Sequence, residues 1–118
     1  MYYKYYIKKH GDQFYFGLYP GNNNRQPIAI SNDYPTEDHA KEEIELLRKL
    51  LSTDGSAFIT SEEERGYFFD LKENELRMGF RRTKAIQSKY QVPKCIKRIY
   101  DNLDAPLKQP LGKDMTDI

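Results

Sequence analysis

Phe14-Tyr15-Phe16-Gly17-Leu18 is answered fifty-three residues downstream by Tyr67-Phe68-Phe69-Asp70-Leu71. Both stretches read as strands whose alternate residues line one face: Phe14, Phe16 and Leu18 in the first, Tyr67, Phe69 and Leu71 in the second. Tyr15, Gly17 and Tyr19 then fall on the other face of the first strand. Working outward, residues 2–9 (YYKYYIKK) have the composition of a preceding strand, and His10-Gly11-Asp12 supplies the turn between them. Pro20-Gly21-Asn22-Asn23-Asn24 is a turn cluster, and Gln26 to Ser31 gives a third strand. A helix follows. Thr36 is its N-cap, Glu37 and Asp38 complement the dipole in its first turn, and Arg48 and Lys49 are expected in its last. Ala40, Ile44, Leu47 and Leu51 form its apolar stripe.

The second half follows the same order. Ser56 to Ser61 reads as a strand, Glu62 to Gly66 as a charged turn, and Tyr67 to Lys72 as a strand. Glu75 to Arg82 is expected as a third strand, with Leu76, Met78 and Phe80 alternating. A second helix opens near Pro93, a favoured first helical position, with Ile96, Ile99, Tyr100 and Leu103 inward. Matching Ala29-Ile30 to Ala85-Ile86 leaves three extra residues in the second half, so residues 81–90 are open between strand and loop. The expected fold is α+β: two tandem β-β-β-α repeats forming one antiparallel sheet with both helices packed on one face. The first repeat covers residues 1–55 and the second 56–106, sharing one core. Residues 107–118, without periodicity, read as a disordered tail.

Composition narrows the class. The 118 residues carry ten Tyr and six Phe against a hydrophobic fraction of only 38%, so the core must rely on aromatic area. A single cysteine, Cys95, rules out an internal disulfide and fits a reducing compartment. No apolar run approaches the roughly 18 residues of a membrane span, and the N-terminal residues lack the apolar stretch of a signal peptide. The expected location is cytoplasmic.

The first unit, with Phe14-Tyr15-Phe16-Gly17-Leu18 and then Ile28-Ala29-Ile30-Ser31-Asn32-Asp33-Tyr34 leading into the helix from Thr36, resembles the YegP-like family of small bacterial proteins of unknown function. The resemblance covers residues 2–52 well and 56–104 more weakly. It implies a single antiparallel sheet built from two repeats, and it brings no catalytic residues to this chain.

Catalytic chemistry finds little support in the residues. His10 falls in a turn and His39 in the first turn of a helix, neither with an orienting partner in the sequence. Cys95 has Lys94 and Lys97 nearby, yet a small helix residue half-facing the core is the plainer reading. Glu62-Glu63-Glu64 are adjacent turn residues that do not converge on one ion. No phosphate loop, nucleophile triad or metal-ligand spacing occurs, so neither cofactor nor metal is expected. Charge segregates instead. From Leu76 to Tyr100 there are eight basic residues and no acidic one, whereas Asp54 to Glu75 carries seven acids and two bases.

Two readings follow. One is a non-enzymatic binding module that meets a protein partner, or a second copy of itself, through an open sheet face bearing aromatics. The alternative is a sequence-tolerant single-stranded nucleic-acid binder, with Arg77, Arg81, Arg82 and Lys84 on phosphates and Tyr15 and Phe68 beneath bases.

Overall fold

The computed structural model describes residues 2–21 and 25–108. The chain runs β1 (Lys4–His10), β2 (Gln13–Tyr19), β3 (Ala29–Ser31), α1 (Glu37–Thr53), β4 (Phe58–Glu63), β5 (Gly66–Leu71), β6 (Phe80–Arg81), α2 (Val92–Asp101) and β7 (Leu107–Lys108). It is an α+β fold, as expected, but the expected single antiparallel sheet is two. Five strands pair in the order β6-β3-β2-β1-β7, and β4-β5 form a separate hairpin. The larger sheet is also mixed, because β7 runs parallel to β1.

The split has a local cause. The Phe80 N–H donates to the Asp70 carboxylate at 3.0 Å rather than to a β5 carbonyl, and the chain next meets the β5 main chain at Arg82, which donates to Phe69 O at 2.9 Å. Most of the expected strand from Glu75 is a turn. Asn74 pins it, donating to Met78 O and accepting from Met78 N, while Arg77 takes a left-handed φ of 52°. Leu76 is accordingly exposed rather than inward. Beyond Arg81 the chain is a loop tied to β5 by the Arg82 N–H and by the antiparallel bridge of Tyr67 with Ile86, and it enters a short 3-10 turn at Lys89.

That bridge corrects the internal match. Phe14 exchanges two backbone hydrogen bonds with Tyr34 (2.8 and 2.6 Å), and Tyr67 exchanges two with Ile86 (2.8 and 2.9 Å). Ile86 therefore stands where Tyr34 does, not where Ile30 does. The three extra residues vanish: the second connection is one residue shorter than the first. The same offset sets Ser88, which accepts from Tyr90 N, beside the N-cap Thr36, which accepts from His39 N. It also sets buried Val92 and Ile99 beside buried Ala40 and Leu47. Paired alanine-isoleucine dipeptides misled because β3 and the loop before Ser88 serve different purposes.

α1 carries its predicted stripe inward. It runs a turn past Arg48 and Lys49, which leaves its last turn without a basic residue. Phe16, Leu18, Phe69, Phe80 and the helix stripes form one apolar cluster drawn from both halves of the chain. The predicted tail begins instead as a strand. Leu107 and Lys108 pair with Tyr5 and Tyr6, and the rest of that stretch, 109–118, lies outside the described residues.

Candidate functional site

The sheet face turned away from the helices was expected to be open, and its ring systems are closed over. Tyr15 and Tyr19 are both buried. The reason lies at Gly17, where a Cβ would stand 2.9 Å from Tyr19 Cε1, so the missing side chain lets the Tyr19 ring lie along the strand. Tyr6 meets that ring edge-on at 5.4 Å, and the Lys8 ammonium sits 4.6 Å from its centroid. Burial raises the Tyr19 hydroxyl pKa, with Tyr15 pushing the same way without reaching hydrogen-bond geometry. Burial also lowers that of Lys8. Phe68 lies on the other sheet and is buried, with the Arg65 guanidinium 5.0 Å above its ring. Neither Tyr15 nor Phe68 offers a free face for base stacking.

The predicted basic residues are partly dispersed. Arg77 sits in the turn before β6, and Lys84 is exposed in the loop after it. Arg81 donates to Asn32 Oδ1 at 3.0 Å. Arg82 is a structural staple, donating to Lys84 O at 2.9 Å and Ile28 O at 3.2 Å, and burial lowers its pKa. Arg81, Arg82 and Phe68 do share one groove of about 470 Å³ with Arg65. Glu63 and Asp70 line it as well, which weakens its pull on an anion. Among the described residues no group of His, Cys, Asp and Glu could hold a metal ion, and no helix is long and apolar enough to cross a membrane.

A second groove, of about 460 Å³, escaped the sequence reading. Phe58 and Thr60 of β4 form one wall and Val92, Pro93, Ile96 and Tyr100 of α2 the other. Phe58, Ile96 and Tyr100 are only half-buried. Beside the groove runs the outer edge of β4, where no described strand pairs. Lys72 N donates to Ala57 O, so antiparallel alternation turns the N–H and C=O groups of Phe58, Thr60 and Glu62 outward. Ile96 and Tyr100 were expected to be core, and nothing in their spacing separates a stripe that is covered from one left half-bare.

The corresponding groove of the first half is full. Tyr5 occupies the Phe58 position, since Tyr5 pairs with Leu18 and Phe58 with Leu71. Its N–H takes Pro106 O at 2.9 Å and its hydroxyl donates to Leu103 O at 3.1 Å. Arg48 of α1 stacks on the Tyr5 ring at 5.2 Å and donates to Leu103 O and Ala105 O at 2.9 and 2.5 Å. Burial, the largest influence, raises the Tyr5 hydroxyl to about 12, against the lowering effect of Arg48.

These features define a small α+β protein with one shared core and, beside an apolar groove, a strand edge that no described strand pairs. Its fold is that of the YegP-like proteins. E. coli YegP, described as a protein of unknown function, superposes with a TM-score of 0.75 at 21% identity over 97% of each chain. A UPF0339 protein of Shewanella oneidensis gives 0.73 at 21% identity over 92% of each. No family model matches the chain, and no curated protein sequence does.

Proposed function

We propose that this chain is a non-enzymatic interaction module that captures an extended protein segment on the outer edge of β4, with side chains entering the groove between β4 and α2. The observation that carries it is the coincidence of outward backbone groups that no described strand pairs with an apolar trough beside them. Strand addition uses that combination: main-chain bonds give affinity and the adjoining pocket gives selectivity. Residues Ser61, Glu62 and Glu63 at the far end of β4 make the edge polar, which discourages indiscriminate sheet pairing. The nucleic-acid reading has less support, because its two aromatic residues are buried and two of its arginines are engaged internally.

Selection from a random displayed-peptide library tests the proposal. Enriched peptides are expected to shift the Phe58–Glu63 amide resonances, and to lose binding to an Ile96→Glu variant. Absence of any enrichment, or binders that ignore both the edge and the groove, refutes it.

A further inference from the structure

The first groove shows how such a segment lies, because the chain fills it with its own residues. Leu103–Lys108 enters between β1 and α1, Pro106 O receives the Tyr5 N–H, Leu107 registers on Tyr5 and Lys108 on Tyr6, and the pairing is parallel. The place-for-place correspondence of the halves transfers this arrangement to β4, with Phe58 for Tyr5, Ile59 for Tyr6 and Thr60 for Ile7. Ile7 is fully buried, whereas Thr60 is exposed.

Resting on the reading just proposed, we infer that the β4 groove takes an extended peptide running parallel to β4, with an apolar residue opposite Phe58 and basic residues following it. The apolar preference comes from the Phe58, Val92 and Ile96 walls. The basic preference comes from direction. A parallel segment carries its C-terminal residues toward Glu62, Glu63 and Glu64, three consecutive exposed acids that make no ion pair among the described residues. At the entry end the chemistry also differs from the first groove. Tyr100 replaces Arg48, and its hydroxyl is already committed to Asp54 O (2.7 Å) and Ala57 N (3.1 Å). Lys89 and Lys97 line this groove, and the Lys97 ammonium is already paired with Asp101 Oδ2 at 2.6 Å.

The probe is the peptide Leu-Asp-Ala-Pro-Leu-Lys-Ser-Lys-Lys, whose first six residues copy 103–108. A nitroxide at its C-terminus should broaden the amides of Glu62 and Glu63, and one at its N-terminus those of Gly55 and Ser56. Replacing its lysines by glutamates should weaken binding at least ten-fold. Thr60→Pro, which removes an outward N–H that the β4–β5 ladder does not use, should weaken it at least as much. If that variant misfolds by its amide spectrum, Ile96→Glu serves instead. Reversed nitroxide patterns, indifference to the charge swap, or failure of this peptide while library peptides still bind overturns the inference and leaves the interaction module standing. Failure of every peptide removes both.

Discussion

Gly66 holds the hairpin to the rest of the molecule, and replacing it tests how the two sheets are joined. Its φ is +143°, a conformation that L side chains rarely adopt, and a Cβ there would lie 2.6 Å from Ile86 O. Backbone strain of this kind costs about 1–3 kcal/mol. The Ile86 carbonyl would also have to withdraw from Tyr67 N, loosening the paired bonds of 2.8 and 2.9 Å that form the bridge. Each is worth about 1 kcal/mol. Gly66→Ala should therefore destabilise the protein by roughly 3 kcal/mol, taking the lower part of the strain range. Two other glycines calibrate the figure. Gly11 has a φ of +64° with nothing within 4 Å of its built Cβ, so Gly11→Ala bears strain alone, about 1 kcal/mol. Gly55 has open space and ordinary backbone, so Gly55→Ala should stay within about 0.5 kcal/mol of neutral. Urea unfolding gives the three values, and amide exchange at Tyr67 and Ile86 locates the damage. A Gly66→Ala loss no larger than that of Gly11→Ala, or unchanged protection at those two amides, refutes the account of the bridge.

Two further predictions follow from the buried tyrosines and the filled groove. Burial raises the hydroxyl pKa of Tyr5 to about 12 and raises those of Tyr19 and Tyr34 as well. Unfolded tyrosines ionise near pH 10, so above that the unfolded chain binds fewer protons and stability falls, by about 1.4 kcal/mol per pH unit for each group. Lys8, whose pKa burial lowers, acts oppositely, but it is one group against three. Urea midpoints should be flat to about pH 9.5 and then drop steeply; ionisation of Tyr5, Tyr19 or Tyr34 near pH 10 in a protein still folded would contradict this. Arg48→Met keeps the stem but removes the bonds to Leu103 O and Ala105 O, so it should cost about 2 kcal/mol and strip exchange protection from Tyr5 N–H. Full retention of that protection would show that Arg48 does not hold β7.

The order of the elements up to α2, the core faces of β2 and β5, the capped first helix and its stripe were all legible, because two-residue and 3.6-residue periodicities and an N-cap are local properties of the chain. The candidate site was legible only in fragments. Arg81, Arg82 and Phe68 do meet, yet as a stapled and partly neutralised groove, while Tyr15 is closed over and Arg77 and Lys84 stand apart. Periodicity names a strand's second face without saying what covers it, and here Gly17 lets a tyrosine ring do so.

By itself the sequence determined that Phe14–Leu18 and Tyr67–Leu71 are strands presenting corresponding residues to one core, since side-chain alternation needs no distant partner. Tertiary structure decided which strand edges are satisfied. The outer edge of β1 is taken by Leu107 and Lys108, a hundred residues away along the chain, and the outer edge of β4 is left without a described strand. That difference depends on where a late segment crosses the molecule. No spacing within either strand encodes it, and it is what separates the filled groove from the one that no described strand closes.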